Sequence, residues 1–369
     1  MQPAANPAPK ATGASFGKDS TNLDLLRTFA VLFVVFRHLL YENPTLEKAL
    51  GMPQFGKFGV LLFFVHTSLV LMLSLQRQGF DTYATPLKHY AAFVTRRVFR
   101  IYPLSILVVL LAAFWFLPYG IYPMHYADAD STISVTPQVI AGNLLLIQNV
   151  WPKPEVSVLG PLWSLPIEIQ MYLVLPFLFV AARKWGLAAV VAIYVVSLGI
   201  AATQSGAAYT HSMFKFAPCF IPGVMAFALT VKRRSLPWWI LPIFLMVTVV
   251  LHSAISSRFG REILVGFPIC LALGVLLPYL QDLPHGTAAK VFQTIAKYSY
   301  GIYLFHDVAR TFAFQYLKGI PLPVQFAVFV VATVAPSVAA FHWLEQPFIK
   351  WGNELANRIV PRLKRPAAE

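Results

Sequence analysis

The chain has 369 residues, 57% of them hydrophobic and only 12% charged, with a formal charge of +14. A mean hydropathy of +0.64 belongs to a polytopic membrane protein and excludes a soluble globular core. The positive charge does not mark a nucleic-acid binder, because Lys and Arg sit in short segments between apolar runs and not along a polar stripe.

Residues 1–22 are polar and rich in Ala and Pro, and read as a disordered cytoplasmic tail. The apolar run that follows is longer than a signal-peptide core, holds charges and lacks a small-residue cleavage site, so it is expected to remain as the first membrane helix. Apolar runs long enough to span then recur at about 23–41, 57–76, 101–119, 159–181, 186–203, 214–231, 237–254, 263–280, 294–316 and 323–344. The fold expected is all-α, polytopic, with about ten transmembrane helices and both termini on one side. With that side cytoplasmic, the inside segments carry 18 Lys and Arg residues and the outside segments 7, which satisfies the positive-inside rule. The outside segment Tyr122–Val158 contains Asp128, Asp130 and Glu155 and a short apolar piece, Val139–Val150, expected to be interfacial or re-entrant. The organisation is one membrane domain over 23–345, followed by a basic cytoplasmic tail over 346–369. Cys219 and Cys270 fall inside apolar runs without metal-ligand or CxxC spacing, so no metal site and no disulfide framework are expected.

Several spans carry polar groups that are costly at membrane depth. In the first span, Arg27 and His38 are eleven residues apart, which is three turns plus about 20°, so both leave one face with a rise between them of about 16 Å. One reading is a helix whose ends snorkel to the interfaces. The fourth span repeats the theme, with Ser164, Glu168 and Tyr172 every four residues beside Trp163. In the ninth span, Ser299, Tyr303, His306 and Arg310 form one stripe, and in the tenth His342 and Glu345 stand a turn apart, suited to an interhelical hydrogen bond. Several such stripes together point to a lined cavity. The loop before the third span reads FVTRRVFRIYP, and Arg97 and Arg100 there would point the same way on a helix. Two guanidiniums so placed suit either lipid headgroups or a phosphate-rich cytoplasmic ligand.

In this order and spacing the segments resemble the acyltransferase 3 family of integral membrane O-acyltransferases. LDLLRTFAVLFVVFRH, with Arg27 and His38, is similar to that family's R-x10-H motif, and TRRVFRIYP, with Arg97 and Arg100, to its RxxR motif. FGVLLFFVHTSLVL, LWSLPIEIQMYLVLP, YSYGIYLFH and LEQPF match further family segments. One departs from the pattern: where the family often has FFVLSGF, this chain has FFVHTSL from Phe63 to Leu69, with Leu62 in place of a common Asp.

The resemblance implies a membrane-bound acyltransferase, in the bacterial inner (plasma) membrane, moving an acyl group, most often acetyl, from acyl-CoA to a hydroxyl of a glycan or lipid-linked acceptor. It implies Arg27, Arg97 and Arg100 as the donor-binding residues and His38 as general base or transient acyl carrier, with Glu168 orienting the imidazole. Trp163, Tyr172, Tyr300 and His306 would line the acceptor path. The expected partners are the donor, the acceptor and membrane lipids, with no metal and no nucleic acid. The competing class is a proton-coupled transporter or flippase of a glycan or lipid-linked molecule, which would be expected to show paired halves; the sequence has none.

Overall fold

The computed structural model describes residues 20–43, 45–47, 55–80, 86–116, 136–152, 157–204, 211–229, 234–259 and 262–360. Among them the chain is helical, with no strand and a single isolated bridge between Leu236 and Leu280. The helices are α1 Thr21–Leu40, α2 Phe55–Arg77, α3 Pro86–Leu111, α4 Pro137–Leu144, α5 Ser164–Thr203, α6 Met213–Ala228, α7 Ile240–Phe259, α8 Glu262–Leu276, α9 Thr287–Arg310, α10 Leu322–Ala340 and α11 Gln346–Ile359. Helices are the expected solution for apolar chain in lipid, because each satisfies its own backbone polar groups.

Each of the ten apolar runs overlaps helix among the described residues, although the boundaries differ. Runs four and five are joined in α5, which breaks at Gly186, where φ is +68°; glycine adopts that angle without steric cost. Among the described residues, five stretches are long and apolar enough to cross a membrane: Phe55–Arg77, Pro86–Phe114, Gly160–Thr203, Ile240–Phe259 and Leu322–Ile359. Helix α1 is long enough but carries Asp24, Arg27 and Arg37, and α9 is similarly polar.

The segment expected as a loop before the third span is helical. Helix α3 starts at Pro86, so Arg97 and Arg100 ride on the same helix as the apolar run. Residues 87–102 contain no Pro or Gly to interrupt the pattern. Within the region expected as a basic tail, residues 346–359 form α11. Pro347 sits in its first turn, where a missing N–H costs little. Helix α11 lies on α3, and a Cβ on its Gly352 would stand 2.5 Å from Phe99 Cβ. The short apolar piece of the outside segment forms α4 and two turns, too short to span. Residues 1–19, with most of the expected N-terminal tail, and Asp128, Asp130, Glu155, Arg362, Lys364 and Arg365 lie outside the described residues.

Helix α1 packs between α2 and α9, α2 also meets α6, and α9 also meets α10. The apolar stretch of α2 is 78% buried, against 22% for Gly160–Thr203, which makes α2 a central helix and leaves much of α5 facing outward. Val195, Val196 and Val331 are exposed, as lipid-facing residues should be. The α1–α2 crossing is close: a Cβ on Gly59 would lie 2.5 Å from the Ala30 carbonyl oxygen. Small residues at such crossings let membrane helices approach without a hydrophobic driving force.

Candidate active site

Among the described residues, two neighbouring cavities open along this core. The first, about 250 Å³, is lined by polar residues from five helices: Arg27 of α1, Thr67 and Arg77 of α2, Arg97 and Arg100 of α3, Glu168 and Tyr172 of α5, and Ser299 and Tyr300 of α9. Four guanidiniums thus face a single lining carboxylate among the described residues. Such a surplus favours an anion. The side chains are held in place: Arg27 Nε donates to Ser299 Oγ at 2.6 Å, and Tyr300 donates to the Ile101 carbonyl at 2.9 Å. Glu168 accepts from the Tyr172 hydroxyl and from Thr67 Oγ1 at 3.3 Å. Arg96 points elsewhere, donating to Gln78 Oε1 at 2.6 Å and Asn357 Oδ1 at 3.1 Å.

The second cavity, about 270 Å³, is lined by Arg37 and His38 of α1, Tyr41 just past its end, Lys57 of α2, and Trp163, Pro161 and Tyr303. Val60 and Tyr303 line both cavities and form the wall between them. Tyr303 is fixed there by donating to the Pro161 carbonyl at 2.9 Å, while Ser164 Oγ lies 2.7 Å from its hydroxyl. His38 Nδ1 stands 2.5 Å from His306 Nε2, and His306 Nδ1 is 3.0 Å from the Ile302 carbonyl oxygen. Arg37 pairs with Glu47 at 2.9 Å and lies over the Tyr41 ring at 4.0 Å. One turn beyond His306, buried Arg310 bonds Asp307 and Glu42.

The spacing of Arg27 and His38 is realised: both side chains reach α9, one at Ser299 and the other at His306. They serve different cavities, as a rise of about 16 Å requires. Arg97, Arg100, Tyr172 and Tyr300 join Arg27 in the first cavity, and Trp163 joins His38 in the second. Glu168 was expected beside the His38 imidazole. It instead lines the arginine cavity, where it accepts from the Tyr172 hydroxyl one turn along α5. His306 was expected on the acceptor path, yet it is fully buried and lines neither cavity. His342 does hold an interhelical contact, 3.1 Å from the Tyr298 hydroxyl, while Glu345 is buried.

Sequence reasoning passed over one face of α2. Val60, Phe63, Phe64, Thr67, Leu71, Ser74 and Arg77 line the first cavity at helical spacing. His66 and Arg77, also in its lining, repeat the eleven-residue interval of α1, a signal that was present but hidden in a segment departing from the family pattern. Arg77 and Lys57 belong to the loop charges that set topology, yet each also lines a cavity.

Comparison with curated proteins and with solved structures returned no match. The family model described as an acyltransferase domain matches residues 20–342, from the first turn of α1 to the end of α10, and so takes in all the cavity-lining residues named above. The chain therefore belongs to the acyltransferase 3 family.

Proposed function

We propose that the protein moves an acyl group, acetyl as the expected one, from acyl-CoA in the arginine-lined cavity to a hydroxyl of a glycan or lipid-linked acceptor in the His38 cavity. The observation that carries this reading is the shared wall: a cationic pocket and an imidazole-bearing pocket touch at Val60 and Tyr303. Arg77, Arg97 and Arg100 suit the phosphates of the donor, since guanidinium pairs phosphate through two parallel hydrogen bonds. At about 250 Å³ the cavity takes only the acylated arm of the donor, with the nucleotide at the mouth beside Arg77.

Chemically, His38 takes the proton of the acceptor hydroxyl as its oxygen attacks the thioester carbonyl. The carbon–sulfur bond then breaks, and the CoA thiolate leaves and collects the proton. The variant in which His38 itself carries the acyl group uses the same imidazole as nucleophile. Under this reading residues 23–345 are the catalytic membrane unit of a bacterial inner-membrane protein, with cytoplasmic tails and the arginine cavity opening to the cytoplasm.

The test is His38→Ala, measured for acetyl-CoA turnover, acetyl-CoA binding and thermal stability on one preparation. Turnover should fall by about 10² to 10⁴-fold, with binding and melting almost unchanged. Near-normal turnover would remove His38 from the chemistry.

A further inference from the structure

We propose that His306 is a positioning residue that fixes His38 as the Nδ1–H tautomer, leaving the Nε2 lone pair as the reacting base. This rests on the acyl-transfer reading above and names a role in it for a residue that cannot meet substrate.

The deduction follows the hydrogen bonds outward from the backbone. A carbonyl oxygen can only accept, so the contact between His306 Nδ1 and the Ile302 carbonyl at 3.0 Å puts a proton on Nδ1. His306 is 0% exposed, and the nearby carboxylate of Asp307 is engaged by Arg310 at 3.0 Å. Full burial disfavours the charged imidazole, and the neighbouring Asp307 carboxylate is already committed to Arg310, so the ring is neutral. Its Nε2 then carries a lone pair. His38 Nδ1, 2.5 Å away, must be the donor, and the remaining lone pair of His38 falls on Nε2.

The ring geometry agrees. The two imidazoles are inclined by only 10° with centroids 4.8 Å apart. That separation equals the N···N distance plus one ring radius on each side, so the rings lie edge to edge in a common plane. An imidazole lone pair lies in the ring plane, and this is the best alignment for an N–H···N hydrogen bond. The sequence puts the two residues on separate polar stripes; only the structure makes them a tandem.

During transfer, His38 gains a proton on Nε2 and becomes a cation while its Nδ1–H still points at His306. The bond then becomes charge-assisted and stronger. His306 thereby orients the base and steadies its protonated form, and the proton passes from Nε2 to the leaving thiolate. It fills the role expected of Glu168, from a neutral ring that leaves the cavity without an added negative charge.

The experiment compares His306→Leu, which cannot accept a hydrogen bond, with His306→Gln, whose amide oxygen reaches the position of Nε2. The Leu variant should lose about 10²-fold in kcat with the KM for acetyl-CoA unmoved, and Gln should recover most of that loss. Protein labelled with ¹⁵N at its nine histidines, with the His38 signal assigned by its disappearance in His38→Ala, reports the tautomer directly. The wild type should show His38 protonated at Nδ1, and His306→Leu should lose that preference. A wild-type His38 protonated at Nε2, or a folded His306→Leu with normal kcat, overturns the proposal. The nitrogen spectrum of the wild type decides even where the Leu variant fails to fold. Loss of activity in His38→Ala together with normal kcat in His306→Leu would refute only this inference, whereas normal activity in His38→Ala would refute the acyl-transfer reading itself.

Discussion

Arginine substitutions around the first cavity should weaken donor binding in a graded order set by where each guanidinium sits. Arg97 and Arg100 are half-buried in the lining, and a charge-assisted hydrogen bond to phosphate is worth about 1.5–3 kcal/mol there. Replacing either by Gln should raise the Kd for acetyl-CoA by roughly 10- to 150-fold. Arg77 lines the same cavity but is exposed, so solvent screening limits its share to about 1 kcal/mol, or roughly fivefold. Arg96 supplies the control. It has the same charge on the same helix, but its guanidinium is bonded to Gln78 and Asn357, and Arg96→Gln should leave affinity nearly unchanged. Isothermal titration of detergent-purified protein with acetyl-CoA at low and at high salt would read all four variants, and the differences should shrink as salt rises. A loss in Arg96→Gln equal to that in Arg97→Gln would show that overall charge alone is responsible. No loss in Arg97→Gln or Arg100→Gln would remove the donor site from this cavity.

Two further outcomes test the frame that holds the cavities. At the α1–α2 crossing, Gly59→Leu places a Cβ 2.5 Å from the Ala30 oxygen and should cost about 1–3 kcal/mol of stability, read as a lower melting temperature with a parallel loss of turnover; unchanged melting would mean that the two helices do not cross there. For orientation, a cysteine at exposed Lys318 should react with an impermeant maleimide added outside intact cells, and one at exposed Lys290 should not; the reverse pattern would invert the protein and put the arginine cavity outside.

Much of the helical layout was legible because apolar runs of about twenty residues leave lipid few alternatives to helix. Arg27 and His38 were legible as a pair for a simpler reason, since eleven residues return a helix to almost the same face. What the sequence did not reveal depended on neighbours. The start of α3 at Pro86 was missed because residues 86–100 are too polar to count toward a span, although nothing in them opposes helix. Glu168 was assigned to His38 because a carboxylate commonly orients an imidazole, yet that choice needs the relative height of α1 and α5, which spacing within one helix cannot provide. The same blindness hid His306 as its partner: Tyr303 and His306 share a stripe on α9, but Tyr303 meets both cavities while His306 is sealed behind it.

Two long helices too polar to count among the apolar spans, α1 and α9, are the two that bring His38 and His306 together. Helix α1 bears Asp24, Arg27, Arg37 and His38, and α9 bears Ser299, Tyr303, His306, Asp307 and Arg310. Ionisable groups at membrane depth must face protein or water, and α1 and α9 meet this demand largely in each other: Arg27 bonds Ser299, His38 bonds His306, and Glu42, just past α1, bonds Arg310. Apolar α2 and α10 pack against their remaining sides. Thr28 Oγ1 adds a further bond to the Phe292 carbonyl at 3.0 Å, and a helix pair held by polar contacts along its whole length cannot slide by a turn without breaking them. That fixes the height of His38 against Tyr303, so the polarity that sets α1 apart from the apolar spans is also what holds the His38 imidazole in the second cavity.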